Sequence, residues 1–182
     1  MKSMPLAESW QTAEIPGPKK ASLIIKPDIA DAMIRRAKRP VMIVGHGAVE
    51  YEVEGIKLIE CLIELAKKGK IPVVVTASTA REFLNRGFTP SALMPAVDIG
   101  NRLTDPTWKG LDGKDTYDLA IFVGLPYYME WTILSGLKHF APSLKTMTLD
   151  CVYQPNASWS LPNSTIKDWA ANLRDIVKNL GD

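Results

Sequence analysis

Cysteine is scarce in this chain, which limits the metal sites that it can build. The 182 residues include two cysteines, Cys61 and Cys151, which are far apart and have no CxxC partner. A structural zinc or an iron–sulfur cluster held by one chain needs more thiolate or histidine ligands at close spacing. We therefore expect no metal bound by this chain. Such low cysteine usage is also typical of a reducing compartment, and we expect a cytoplasmic protein.

Neither sign of charge is in excess, and long apolar runs are missing. The 22 basic and 20 acidic residues give a formal charge of +2, which predicts neither a nucleic-acid partner nor an acidic membrane surface. The first 26 residues contain Pro5, Pro16 and Pro18 and no apolar stretch typical of a signal peptide or membrane anchor. We predict one α/β domain over residues 1–182, with residues 1–26 as an extended N-terminal arm.

Histidine is as rare as cysteine, and the common catalytic motifs are missing. The chain has His46 and His139, but no G-x-S-x-G elbow and no P-loop. A hydrolase needs a nucleophile, a base and a group that orients the base. These absences argue against catalysis by this chain alone. A stand-alone small-molecule enzyme remains the weaker alternative.

What the chain does have is a regular alternation of buried strands and helices. The run RPVMIVGHGA at residues 39–48 is apolar, unbroken and closed by two glycines, which is typical of a strand in a parallel sheet covered on both faces. Further strands are predicted at residues 71–75, 117–123 and 144–149. Helical spacing predicts helices over residues 27–37, 53–68, 79–88, 95–103, 129–140 and from 164 or 165 onward. This alternation predicts a Rossmann-like α/β fold with a parallel sheet flanked by helices.

Three segments follow predicted strands and should meet at the carboxyl edge of the sheet. They are residues 45–48, 76–78 and 124–128. In open α/β sheets this edge is where ligands bind, and glycines there let another group approach the backbone closely. The candidate cofactor-binding residues are Gly45, His46, Gly47, Thr76, Ser78, Gly124 and Tyr127.

The glycine pair does not complete a nicotinamide dinucleotide fingerprint. That motif requires G-x-G-x-x-G and an acidic residue at the end of the next strand. Here the third glycine position holds Glu50, and the next strand ends in Thr76. Glu50, Glu52 and Glu54 would also repel a pyrophosphate at the start of the following helix. A nicotinamide dehydrogenase is therefore disfavoured.

Aromatic side chains and His46 leave several interpretations open. Tyr127, Tyr128 and Trp131 could stack on a flavin or adenine ring, anchor a partner protein, or belong to ordinary core and loop packing. His46 either hydrogen-bonds to a neighbouring loop or contacts a ligand.

Three short segments resemble a known nucleotide-binding fold. They are the run at residues 39–47, IPVVVT at 71–76 and YDLAIFVG at 117–124. Together they are similar to the middle domain of thiamin-diphosphate enzymes, which has the deoxyhypusine-synthase-like NAD/FAD-binding domain fold. Strand-glycine motifs of this kind occur in many folds and do not discriminate among them.

Longer segments resemble one family specifically. IGNRLTDPTWKGLDG (99–113), GLPYYMEWTILSGLKHFAPSLKTMTLD (124–150) and YQPNASWS (153–160) are similar to the epsilon subunits of the archaeal acetyl-CoA decarbonylase/synthase complex. The resemblance extends over nearly the whole chain.

This resemblance implies a small accessory subunit. Its partner would be the large catalytic subunit of carbon monoxide dehydrogenase, in a two-plus-two assembly, and that partner would carry the nickel and iron–sulfur clusters. The complex oxidises CO reversibly and makes or cleaves acetyl-CoA in the one-carbon metabolism of methanogenic archaea. The implied role is to stabilise the large subunit, with Tyr128 and Trp131 as candidate partner-binding residues. The alternative is an FAD-binding module that assists electron transfer from the partner's clusters to FAD.

Overall fold

The computed structural model describes residues 19–53 and 56–181, without the side chains of residues 53, 56 and 78. The chain forms β1 (Ser22–Leu23), α1 (Pro27–Arg36), β2 (Pro40–Val44), α2 (Gly47–Glu50), β3 (Glu52–Val53), β4 (Ile56–Lys57), α3 (Leu58–Gly69), β5 (Val73–Val75), α4 (Ala77–Asn85), β6 (Ala92–Leu93), α5 (Ala96–Thr104), β7 (Leu119–Val123), α6 (Tyr127–Phe140), β8 (Lys145–Thr148), β9 (Trp159–Ser160) and α7 (Ile166–Asn179).

The strands β1, β9, β8, β7, β2, β5 and β6 form one sheet in that order, and every neighbouring pair in it is parallel. The predicted parallel α/β fold is thus confirmed. β2 and β7 lie next to each other at the centre, in register from Pro40 opposite Leu119 to Val44 opposite Val123. The carboxyl ends of these two strands meet at one edge of the sheet, where the candidate site lies.

Successive strand residues contact different halves of the core. Met42 and Val44 of β2 pack in the half covered by α1, α3 and α7, whereas Val41 and Ile43 pack in the half covered by α5 and α6. Side chains of a strand alternate between the two faces of its sheet. The unbroken apolar run of β2 follows from this burial on both faces.

The predicted start of α3 is wrong. The apolar spacing predicted a helix from residue 53, but the helix begins at Leu58. Before it, Glu52–Val53 pairs antiparallel with Ile56–Lys57, and the backbone N–H of Leu58 donates to the carbonyl of Tyr51. The two-residue connection of this hairpin, at positions 54 and 55, lies outside the described residues.

Besides the two strands of this hairpin, three further short strands were not predicted, and one of them lies in the predicted N-terminal arm. β6 and β9 are two residues long, as is β1, which pairs with β9. Residues 1–18 of the arm lie outside the described residues. Its remainder is held to the body by backbone hydrogen bonds from Ala21 to Pro155 and from Ile24 to Ser160.

Candidate functional site

The glycine turns after β2 and β7 pack directly against each other. The N–H of Gly47 donates to the carbonyl of Gly124 at 2.8 Å, and Gly124 has a φ of +75°. A Cβ on Gly45 would lie 2.2 Å from the oxygen of Gly124, and one on Gly124 would lie 2.6 Å from the nitrogen of Ala48. Only glycine fits these two positions, because any side chain would collide with backbone atoms.

A cavity of about 420 Å³ opens above these turns, between the loops that follow β2, β7 and β8. Its volume lies within the range of about 300–1,000 Å³ that is usual for small-molecule sites. The residues that line it are His46, Gly47, Glu50, Tyr51, Gly124, Leu125, Pro126, Tyr127, Glu130, Asp150, Cys151, Val152, Gln154 and Trp169.

Two carboxyl groups form the polar end of this cavity. Glu130, on the first turn of α6, is completely buried, and Asp150 follows β8. Asp150 Oδ1 accepts a hydrogen bond of 2.7 Å from the N–H of Gly124. Burial raises the pKa of Glu130 well above its ordinary value, and the charge of Asp150 raises it further. Burial also raises the pKa of Asp150, although its hydrogen bonds with Glu130 and Gly124 oppose that rise.

These directions indicate one shared proton. Two adjacent buried carboxyl groups cannot both ionise cheaply, so one keeps its proton and donates to the other. Asp150 already accepts from a backbone N–H, which stabilises its ionised form. Glu130 is therefore the protonated member of the pair.

Of the residues predicted to bind a cofactor, His46, Gly47, Gly124 and Tyr127 line the cavity, and Gly45 lies beneath it. His46 is half exposed, and its Nε2 lies 3.2 Å from Glu50 Oε1 at the cavity mouth. Thr76 precedes α4 and does not line the cavity, and Ser78 is within α4. The segment that follows β5 is thus beside the cavity rather than part of its wall.

The two residues predicted to bind a partner differ in exposure. Tyr128 is 75% exposed at the start of α6, and its ring packs edge-on against Tyr127 at 5.4 Å. Trp131 is half buried, and its Nε1 has no hydrogen-bond partner among the described residues. Neither lines the cavity.

A separate groove of about 360 Å³ runs between α5 and α6 next to Tyr128. We call it the α5–α6 groove. It is lined by Val97, Gly100, Asn101, Thr104, Met129, Thr132, Ile133, Gly136 and Leu137. Val97 and Met129 are large apolar residues that are about half exposed at its rim.

Glu130, Asp150 and Gln154 form the polar end of the cavity, and none of them was predicted as a site residue from the sequence. Asp150 had a readable signal, since it directly follows the predicted strand 144–149 as Gly45 and Gly124 follow theirs. Glu130 lies on the helix face that also carries Ile133, Leu134 and Leu137, all buried. A single carboxylate on an otherwise apolar helix face is a signal for a buried polar site.

Two further features bear on function. Among the described residues, no group of three or more His, Cys, Asp or Glu side chains could hold a metal ion. Within the same part of the chain, each helix is too short or too polar to cross a membrane.

Comparison with known proteins gives one consistent result. The profile of the family described as CO dehydrogenase beta subunit/acetyl-CoA synthase epsilon subunit matches residues 1–177. A protein of Methanothermobacter thermautotrophicus is 39% identical, over 92% of this chain and 92% of its own length. One from Archaeoglobus fulgidus is 36% identical over 97% and 94%, and one from Methanothrix soehngenii is 35% identical over 92% and 88%. All three are named as epsilon subunits of the acetyl-CoA decarbonylase/synthase complex.

Proposed function

Because this chain belongs to the family of CO dehydrogenase beta subunits and acetyl-CoA synthase epsilon subunits, we propose that it is the small accessory subunit of such a complex. In this role it binds and stabilises the large subunit of carbon monoxide dehydrogenase, two copies of each forming the assembly. Nickel and iron–sulfur chemistry would take place in the large subunit. The observation that carries the proposal is the match of the family profile to residues 1–177.

The α5–α6 groove and Tyr128 are the surface that we propose for docking. Tyr128 is the most exposed of the large apolar side chains of the described residues, and it adjoins a groove with an apolar rim. Exposed apolar patches of this kind mark protein interfaces, and tyrosine and tryptophan are frequent anchors. The relatives are named as subunits of a complex, which supplies the expected occupant.

The test is to measure the affinity of purified variants for the large subunit from the same organism. Tyr128→Ala and Trp131→Ala should each weaken binding by about 2 kcal/mol, or roughly 30-fold, as expected for interface anchors. Leu84→Ala is the matched control, since Leu84 is 56% exposed but lies on α4. Wild-type affinity in both test variants would place the interface elsewhere on the chain.

Stoichiometry provides a second measurement. The mass of the reconstituted complex in solution should correspond to two large and two small subunits. Omitting the small subunit should lower the thermal stability of the large one, because a ligand that binds only the folded state stabilises it. A large subunit that is equally stable alone would contradict the stabilising role.

The cavity at the sheet edge favours a second candidate, an FAD-binding module that assists electron transfer from the partner. Its glycine turns leave space for a ring, and the side chains of Tyr51, Tyr127 and Trp169 stand in its wall. The fit to FAD is partial. The described lining includes three carboxyl side chains but no lysine or arginine to bind a pyrophosphate. Residues of this chain would therefore hold the ring and leave the phosphates outside the cavity.

Titration with FAD, with NAD as the control, tests this candidate through flavin fluorescence and heat. Saturable micromolar binding of FAD alone would support it. Absence of binding both to this chain and to its complex with the large subunit would leave the docking role as the whole function. Substitution at Gly45 or Gly124 is a poor test, because a Cβ there collides with backbone and would disturb the fold itself.

A further inference from the structure

Three buried oxygen atoms at the polar end of the cavity have no hydrogen-bond partner of normal geometry among the described residues. They are both carboxyl oxygens of Glu130 and Oε1 of Gln154. Thr148 and Gln154 are close enough to Glu130 to lower its pKa, but neither donates to its oxygens with normal geometry. The contact with Asp150 uses the proton of Glu130 itself. An acceptor left unsatisfied inside a protein costs about 1–3 kcal/mol. The site is therefore short of donors.

The orientation of Gln154 is fixed by its other contacts. Its Nε2 donates to the carbonyl of Tyr127 at 3.1 Å, and its backbone N–H donates to Ser160 Oγ at 3.0 Å. Because an amide flip would place Oε1 against the Tyr127 carbonyl, Oε1 must remain the unpaired atom. Gln154 is 1% exposed, so bulk water does not satisfy it.

The proton on Glu130 supplies only one donor for these atoms. That O–H can point to Asp150 or to Gln154 Oε1, and at least one acceptor is left in either case. A ligand that brings its own N–H groups would complete the set. The residues that lack hydrogen-bond donors, Glu130 and Gln154, line a cavity that is large enough for such a ligand.

The charge and shape of the cavity further restrict the kinds of ligand that can bind. Glu50 and the ionised Asp150 line it without a lysine or arginine among the described lining residues, so a negatively charged group would be repelled. The cavity wall also carries Tyr51, whose ring meets that of Trp169 edge-on at 5.3 Å. Flat aromatic walls suit a planar ring.

We propose that this cavity binds a nitrogen heterocycle that donates N–H groups to Glu130 and Gln154 and carries no phosphate inside the cavity. The site is a hydrogen-bond acceptor pocket and differs in this respect from a phosphate-binding loop. The inference goes beyond the docking role, and it rests on the flavin candidate only in so far as a flavin is one such heterocycle.

Matched ligand pairs test the proposal. Riboflavin and FMN have the same flavin ring and differ by one phosphate. Adenosine and AMP have the same adenine ring and also differ by one phosphate. Binding to the full chain, alone and in complex with the large subunit, is followed by calorimetry. We expect riboflavin or adenosine to bind, and its phosphorylated partner to bind about tenfold more weakly. The ring that binds identifies the source of the heterocycle.

Variants at the carboxyl side chains distinguish binding at this site from nonspecific binding elsewhere on the protein. Glu130→Met keeps the length but removes both carboxyl oxygens, and it should weaken binding of the ring about tenfold, which is the effect of one lost hydrogen bond. Glu50→Gln, at the exposed mouth, removes a negative charge and should reduce the difference in affinity between the bare ring and its phosphorylated form. Glu64→Gln, on the exposed side of α3, controls for loss of a carboxylate elsewhere.

Each other outcome overturns the proposal. Tighter binding of FMN or AMP than of the bare ring would show a phosphate site. Unchanged affinity of the ring for a folded Glu130→Met variant would show that Glu130 does not recognise it, while FAD binding by that variant would leave the flavin candidate standing. Failure of both rings to bind at their solubility limits, in either state of the chain, would reject the cavity as a ligand site. The docking test with Tyr128→Ala is independent of all three results.

Discussion

At the scale of single residues, the most unusual feature is a protonated carboxyl group inside the fold. Glu130 is completely buried, and its pKa is raised by burial and by the charge of Asp150. Glutamate in an unfolded chain releases its proton near pH 4.5, whereas folded Glu130 keeps it at higher pH. At a pH between the pKa of the unfolded chain and the raised pKa of folded Glu130, the protein must therefore take up this proton when it folds, which costs stability.

Replacing this group by its neutral isostere should remove that cost. Glu130→Gln can still donate to Asp150, but it has no proton to gain or lose. Relative to the variant, the wild type should lose unfolding free energy as pH rises above about 4.5, by at most about 1.4 kcal/mol per pH unit. Below that pH both the folded and the unfolded wild type are protonated, and the gap should become constant. Urea unfolding of both proteins between pH 4 and 8 measures it.

The control for this prediction is Glu64→Gln, on the exposed side of α3. A difference between wild type and Glu130→Gln that does not change across the pH range would mean that Glu130 is ionised in the folded protein. That result would also remove the shared proton from the description of the cavity.

At the scale of elements, long periodic segments were predictable and short ones were not. The runs that became β2, β5 and β7 are apolar on both faces, so their composition alone indicated buried strands. β1, β6 and β9 have two residues each, which is too few for any periodicity. They form because their backbone groups pair with a neighbouring strand of the folded sheet. This is a tertiary effect, and a local sequence pattern does not predict it.

The start of α3 shows a competition that local pattern does not resolve. Residues 53–57 fit the apolar spacing of the helix that follows them, but Glu52 and Lys57 lie opposite each other in the β3–β4 hairpin. Opposite charges across a strand pair favour that pairing. Glu130 and Asp150 escaped sequence analysis for a related reason, since their meeting depends on α6 and β8 being brought to one edge of the sheet.

The start of α7, in contrast, is specified locally and can be tested locally. Thr165 Oγ1 accepts a hydrogen bond of 3.2 Å from the N–H of Asp168, and the helix begins at Ile166. Thr165→Ala should lower the unfolding free energy by about 1 kcal/mol, because that N–H loses its cap. Thr165→Ser keeps the hydroxyl and should stay near the wild type in the same denaturation experiment. Equal losses in both variants would assign the effect to the methyl group instead.

At the scale of the whole molecule, the two ends of the described chain are joined through the sheet. The segment that begins at Lys19 reaches β9 through β1, and the hydroxyl of Tyr153 donates to the carbonyl of Ala21 at 2.8 Å. Ile24 is 2% exposed in the core half that α7 also covers, while the next residue, Ile25, is 66% exposed. The described end of the predicted arm is thus part of the folded body.

These two adjacent isoleucines provide a matched test of that conclusion. Ile24→Ala should lower the unfolding free energy by about 2–4 kcal/mol, since it opens a cavity in the core. Ile25→Ala should change it by less than about 0.5 kcal/mol, as is usual for exposed positions. Chemical denaturation of both variants measures these two changes in unfolding free energy. Similar small effects at both positions would mean that the segment is a detachable arm after all.

The cavity contains one of the two cysteines, and this gives the protein its own chemical reporter. Cys151 stands in the cavity wall, whereas Cys61 is on α3. Burial raises the pKa of the Cys151 thiol, so alkylation will be slow at neutral pH and will accelerate in mildly alkaline buffer. In a Cys61→Ala background the rate of labelling by a maleimide then reads out access to the cavity directly. Any molecule that occupies the cavity should protect that thiol, so unknown occupants can be screened for without a spectroscopic signal of their own.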